Sequence, residues 1–172
     1  GSRGLGDVYK RQVLDLRLEW ISLSVREMAR EPDKKIVQDF YTEVAQREIR
    51  IQHILYDADD LRQLFKWIDQ GVVLRPSFLS ILWVLGRYSS DGNSDPAGLN
   101  QVEATLQALG FAKPEQVMIC AFGLGQIPCL VNAARRGWDC RVGFENGWWK
   151  QDGSIAQDNA DLLRDLRDQL DQ

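Results

Sequence analysis

Arg141 and Glu145 are the residues whose types and spacing best suit chemistry, and they stand in the run Cys140-Arg141-Val142-Gly143-Phe144-Glu145-Asn146-Gly147. Taken as a short buried strand, the run delivers an arginine and a carboxylate to the mouth of an α/β protein. Side chains alternate along a strand, so Arg141, Gly143 and Glu145 share one face while Val142, Phe144 and Asn146 share the other. Two opposite charges with only a glycine between them suit a polar pocket in which ionisable groups work on a bound molecule. They also suit a structural ion pair at a strand end, and the pattern leaves both readings open.

The remaining chemical candidates are weaker. Gly123-Leu124-Gly125 follows a strand and opens a helix, but it lacks the third glycine of a dinucleotide fingerprint and the Lys-Ser/Thr pair of a P-loop, which leaves a tight turn. Cys120, Cys129 and Cys140 are odd in number, form no CxxC pair and sit in apolar surroundings, which predicts reduced core thiols. His53 is the one histidine, which argues against a zinc site built from His and Cys within this sequence, and His53 is expected to be a satisfied or partly buried histidine.

Composition narrows the class. The chain has 172 residues, 44% hydrophobic and 27% charged, enough apolar material for one core. A formal charge of -4 carries no clustered Lys and Arg of the kind that nucleic acid or an anionic membrane rewards. No apolar run reaches the roughly 20 residues that span a bilayer, and no signal peptide core opens the sequence. The expectation is a soluble, cytoplasmic protein with neither nucleic-acid nor membrane partners. Residues 1–12 read as a scar and an adapter-like segment, and residues 13–172 as the folded unit.

The elements that must position Arg141 and Glu145 alternate along the chain. Strands are predicted over 19–25, 51–56, 78–85, 116–122 and 139–145, and helices over 32–49, 57–70, 96–109, 126–136 and 156–170. Asp57 is the expected cap of the second helix, while Gly71, Gly110 and Gly137 are expected stops. Five strand-helix units with right-handed crossovers make an α/β fold with a parallel sheet. Either a small open doubly wound sheet or the last five of the eight units of a TIM barrel fits that count, and both build sites at the carboxyl ends of strands. The 89–95 loop is a candidate to lie over the mouth, and Trp148-Trp149 to wall a pocket or pack. Arg164, Asp165, Arg167 and Asp168 are expected on a solvated helix face.

The run from Arg141 to Asn146, followed by Asp152-Gly153-Ser154 and Asp158-Asn159-Ala160, resembles the closing motif of the β-keto acid cleavage enzymes. Glu19 to Ser24 resembles that family's fourth barrel strand, Gln52 to Asp57 the fifth, Leu82 to Gly86 the sixth and Cys120 to Gly123 the seventh. The resemblance implies a partial TIM (β/α)8 barrel of about the last five units. It implies an acyltransferase that condenses a β-keto acid with acetyl-CoA and releases acetoacetate and a new acyl-CoA, using Zn²⁺ or another divalent metal, in a protein that forms homo-oligomers.

By the same resemblance, Glu145 is a metal ligand, Arg141 an active-site arginine, and Ser24 a substrate-contacting hydroxyl. Asn146 stands at a catalytic position where the family usually has an aspartate. An amide does not titrate, so a proton-accepting role there would be lost or altered. Leu124 replaces an expected polar or basic residue, and the family's histidine pair has no counterpart. These departures predict a catalytically inactive fragment of a longer enzyme. The alternatives are a flavodoxin-like binding module of the same size and a half-barrel that completes a separately encoded partner.

Overall fold

The computed structural model describes residues 12, 14, 16, 18–74, 79–110 and 117–172. Residues 1–11 of the adapter-like segment, Val13 at the start of the expected folded unit, and the expected first residues of two strands, Phe78 and Gln116, lie outside them. The described elements are β1 (Trp20–Ser24), α1 (Val25–Ala29), α2 (Lys34–Gln46), β2 (Arg50–Leu55), α3 (Ala58–Asp69), β3 (Ser80–Leu85), α4 (Gly98–Ala108), β4 (Val117–Ala121), a 3-10 turn (Gly123–Gly125), α5 (Gln126–Arg135), β5 (Asp139–Arg141) and α6 (Asn159–Leu170).

All five strands are parallel and stand in chain order, β1-β2-β3-β4-β5. A flavodoxin-like sheet has the order 2-1-3-4-5, which reverses direction to place helices on both faces. The sequential order overturns that alternative, because each right-handed crossover then deposits its helix on the same side. The cores agree. The larger cluster joins buried helix residues such as Phe40, Leu64, Leu106, Ile127 and Leu162 to Ile21, Leu23, Leu55, Ile81, Trp83 and Ile119 of the strands. The smaller cluster, Leu82, Val84 and Cys120 with Ile54, Tyr56, Met118 and Phe122 against them, contains no helix residue. Strand alternation therefore separates a helix-covered face from an inner face. That inner face packs against itself at its centre, since Leu82 and Cys120 are both 0% exposed.

Local chemistry sets most boundaries. Asp57 accepts from the Asp59 and Asp60 amides at 3.0 Å each and caps α3 as expected. Asp33 caps α2 through the Lys35 amide at 2.9 Å, and Asp158 caps α6 through the Asp161 amide at 2.7 Å. Several helices are shorter than expected by two or three residues at an end, as in α2 and at the start of α6, and two strand ends bear on the site. The first strand stops at Ser24, whose hydroxyl accepts from the Glu27 amide and starts the short α1. The fifth strand stops at Arg141 instead of running to 145.

His53 alternates onto the helix-covered face. It is 2% exposed and stacks on Tyr41 of α2 with ring centroids 6.0 Å apart. Burial pushes its pKa down to about 4, so the ring is a neutral core group. No helix of the described residues is long and apolar enough to cross a membrane.

Candidate functional site

The strand-based picture of the Arg141 to Gly147 run holds only at its first residue. After Arg141 the chain leaves the sheet and folds into a turn, in which the Asn146 amide donates to Gly143 O at 3.0 Å and the Gly147 amide to the same oxygen at 3.3 Å. The expected alternation of Glu145 and Asn146 on opposite strand faces is thereby replaced. Glu145 projects outward with a 58% exposed side chain, whereas Asn146 turns inward and is 4% exposed.

Four hydrogen bonds from three other segments fix this turn. Gln126, in the first turn of α5 and fully buried, accepts from the Gly143 amide at 3.0 Å and donates to Gly147 O at 2.9 Å. Asn159 Oδ1 accepts from the Phe144 amide at 2.8 Å, and the Gly123 amide donates to Asn146 O at 2.8 Å. Gly123 has φ +73, and a Cβ there would meet Gly92 O at 2.6 Å. Glycine is required at that position by both conformation and crowding. Gly123-Leu124-Gly125 is thus the tight turn predicted from its spacing.

Arg141 Nη2 lies 3.6 Å from Glu145 Oε1, with side chains 42% and 58% exposed. An ion pair that open to water contributes roughly 0–1 kcal/mol to stability, so the fold does not depend on it. Arg141 Nε is buried without a hydrogen-bond partner among the described residues, as are both amide atoms of Asn146. On the inner face Cys120 is the register partner of Arg141. Burial raises the Cys120 thiol to about 11; Arg141 opposes that shift and Glu145 adds to it.

The structure therefore brings together three of the four sequence-predicted site residues, Arg141, Glu145 and Asn146. Ser24 stands on β1, four strands away and roughly 19 Å along the sheet at normal strand spacing, and its hydroxyl is occupied as a helix cap. Among the described residues no group of three or more His, Cys, Asp or Glu is placed to hold a metal ion.

A concavity of about 380 Å³ opens beside the turn, bordered by the 91–93 loop, Gly123, Leu124, Glu145, Asn146 and the Trp148–Trp149 pair. The loop borders the mouth as expected and is stapled in place. Ser94 donates to Phe122 O through both its amide and its hydroxyl at 2.8 Å, and Asn93 Oδ1 accepts from the Leu124 amide at 2.9 Å. A larger concavity, about 940 Å³, lies at the amino ends of β1 and β2 between Leu16, Trp20 and Arg47. It is at the wrong end of a parallel sheet for the chemistry of such folds.

Besides Gln126 and Asn159, two further features escaped the sequence reading. Arg26 of α1 pairs with Asp57 and with Asp60, the latter at 3.2 Å, and its guanidinium lies 5.2 Å from the Tyr56 ring and 5.0 Å from the Tyr88 ring. It ties together the loops that follow β1, β2 and β3, and partners 30 to 62 positions away leave no local signal. Asp165, expected on a solvated face with Arg164, Arg167 and Asp168, instead accepts from the Gln151 amide at 2.7 Å and anchors the loop beyond the two tryptophans.

Comparison with known proteins adds to this geometry. A family model described as beta-keto acid cleavage enzyme matches residues 7–172. A curated relative, the 3,5-dioxohexanoate:acetyl-CoA acetone transferase of Paraburkholderia graminis, is 29% identical over 119 residues. The aligned region covers 69% of this chain and 37% of that protein, so the chain spans well under half the length of the relative it matches.

Proposed function

The chain belongs to the beta-keto acid cleavage enzyme family, and on that premise we propose that it is the carboxyl-terminal part of an enzyme exchanging acyl groups between a β-keto acid and acetyl-CoA. In balanced form, R–CO–CH₂–COO⁻ and CH₃–CO–SCoA give R–CO–SCoA and CH₃–CO–CH₂–COO⁻. The carbon–carbon bond between R–CO and CH₂ and the acetyl–sulfur bond break, while a carbon–carbon bond between acetyl and CH₂ and a bond between R–CO and the coenzyme A sulfur form. The observation that carries this reading is the Arg141–Glu145 pair at 3.6 Å on a turn just past the end of β5, inside the family-matched segment.

Arg141 has the chemistry for the anionic parts of this reaction. Its guanidinium can hold the keto acid's carboxylate or a developing oxyanion through charge-assisted hydrogen bonds, and its Nε is unengaged among the described residues. Asn146 is the catalytic-position residue of the proposal. As an amide it orients by hydrogen bonding and leaves proton transfer to another group. Ser24 is assigned by likeness to substrate contact, alongside its cap to α1.

For a divalent metal such as zinc, Glu145 supplies one suitable oxygen ligand. The described residues do not complete a metal site, and a metal there would require further ligands from a longer protein. The in-order sheet, with helices on one face and β1 and β5 each paired on one edge only among the described residues, supports reading the unit as five consecutive units of an eight-unit barrel.

The test is acetyl-CoA-dependent formation of acetoacetate from a panel of β-keto acids that includes 3,5-dioxohexanoate. It uses the chain alone and the reading frame extended upstream. The extended protein is expected to turn over, the 172-residue chain is not, and Arg141→Ala should lower kcat/KM by about 10²–10³-fold. An extended protein that is folded yet inert toward every keto acid would sink the reading.

A further inference from the structure

Arg87 is the second residue after β3, at the end of the sheet where folds of this kind build their sites. Its guanidinium lies 5.4 Å from the centroid of the Phe122 ring. The loop that Arg87 belongs to grips Phe122 from both sides: the Phe122 amide donates to Leu85 O at 2.9 Å, and its carbonyl accepts from the Ser94 amide and hydroxyl at 2.8 Å each. Between those contacts Ser89 Oγ lies 2.8 Å from Gly86 O and 2.9 Å from Asn93 O, which closes the loop. The ring on which the arginine rests is therefore fixed by backbone.

Charge balance sets Arg87 apart. Arg26 and Arg136 also lie against aromatic rings, but Arg26 pairs with Asp57 and Asp60, and Arg136 with Glu103 at 2.9 Å. Arg141 has Glu145. Arg87 is exposed and has neither a carboxylate nor a hydrogen-bond partner among the described residues. Arg50, on the Trp20 ring, stands at the amino end of β2, away from the mouth. A ring contact engages the flat face of a guanidinium and leaves the N–H donors on its rim, whose fork matches a carboxylate or a phosphate. We propose that Arg87 is a substrate-binding residue that receives a second oxyanion, beyond the carboxylate assigned to Arg141.

The sheet places the two arginines around one wall. Arg141 is the register partner of Cys120, and Arg87 covers Phe122, two residues farther along the same inner face of β4. Burial raises the Tyr56 phenol and the charge of Arg87 opposes that rise, so the guanidinium is felt on this inner face. β3 and β5 flank β4, so the arginines spring from strands roughly 10 Å apart. Two parts of the substrates present the matching chemistry: a carboxylate ending the keto acid's acyl substituent, and a phosphate of the coenzyme A nucleotide. The inference rests on the reading above in drawing the oxyanion from those molecules.

The test uses the 172-residue chain, isotope-labelled for NMR, with the Arg87 Nε–Hε signal and the Tyr88 and Phe122 backbone amides followed at physiological ionic strength. Inorganic pyrophosphate stands in for the nucleotide, glutarate for an acyl carboxylate, and uncharged glutaramide is the control. At least one anion is expected to move the Arg87 signal saturably while glutaramide leaves it in place, and the tighter of the two anions names the source. Arg87→Gln, at an exposed position, is expected to weaken that anion by about tenfold as read on the two amides. Arg87→Lys should recover only part of the loss, because an ammonium lacks the fork.

An Arg87 signal indifferent to both anions overturns the proposal, as does affinity unchanged in Arg87→Gln. Shifts of Arg50 as large as those of Arg87 overturn it too, since they mark unselective screening of surface charge. No probe is a β-keto acid, and none needs metal or turnover. A negative titration therefore sinks this inference alone, whereas an inert extended enzyme sinks the reading above.

Discussion

Gln126 holds Gly143: its Oε1 accepts the Gly143 amide at 3.0 Å while its Nε2 donates to Gly147 O at 2.9 Å. One side-chain amide thus spans the turn that presents Glu145 and Asn146. No water reaches it, since Gln126 is 0% exposed.

Replacing Gln126 by Leu keeps much of the volume but orphans a buried N–H and a buried carbonyl. Each such group costs about 1–3 kcal/mol, so Gln126→Leu should destabilise the chain by roughly 2–6 kcal/mol. Denaturant unfolding measures this as a lower midpoint at unchanged slope. A change below about 0.5 kcal/mol would contradict the bridging role.

Gly143 offers a separation of stability from activity. A Cβ at this position would lie 2.8 Å from Glu145 Cδ, and the obstructing group is the end of a half-exposed, flexible side chain. Gly143→Ala should therefore cost under about 1 kcal/mol in stability while displacing the carboxylate from Arg141. Misplacement by about an ångström costs up to 10²-fold in rate, so kcat/KM of the extended enzyme should fall by about 10–100-fold at nearly unchanged Tm. Gly125→Ala is the contrast, because its Cβ would lie 2.7 Å from the carbonyl carbon of Ser94, which is backbone and cannot swing aside. That variant should lose about 1–3 kcal/mol or more.

His53 predicts a pH dependence. Its folded pKa, lowered by burial to about 4, lies below the usual value near 6.5, so between those values the unfolded chain binds a proton that the folded chain does not. Stability contributed by the neutral ring is complete above about pH 6.5 and declines as pH falls toward 4, by about 3 kcal/mol in all. His53→Leu should flatten that part of the stability profile. An unchanged slope in the variant would assign the acid sensitivity to other groups.

Asp57 serves α3 and Arg26 at once, capping two amides with Oδ1 and meeting the guanidinium with Oδ2. Asp57→Ala should cost about 1–2 kcal/mol, most of it from the cap, with Asp57→Asn recovering the larger part. Thermal unfolding of the pair of variants checks the division. Equal losses in both would shift the weight to the ion pair.

The alternation of strands and helices was legible because the strands read as short apolar runs, β3 apolar nearly throughout, and each long helix brings its own punctuation, as with Asp57 before α3 and Gly137 after α5. The fifth strand was overextended because Val142 and Phe144 are apolar enough to pass for strand residues. They pack on the larger core from a turn instead. Ser24 was assigned only to a substrate, since nothing in its sequence neighbourhood shows the five-residue α1 that it caps. Arg141 and Glu145 were found by local spacing. Gln126 and Asn159, which hold their turn, lie 17 and 15 positions from the amides they bind, beyond what adjacency can reveal.

The order of strands also governs when the candidate site is made. Every strand pairs with its neighbour in the chain, so the sheet's contacts close over single strand-helix units, and such topologies favour stepwise assembly. During synthesis, at roughly 5–20 residues per second, β1 to β4 can consolidate before β5 has emerged. The turn that carries Glu145 and Asn146 cannot be locked at that stage, because its Phe144 amide waits for Asn159 at the head of α6. Assembly therefore builds the scaffold first and sets this turn last.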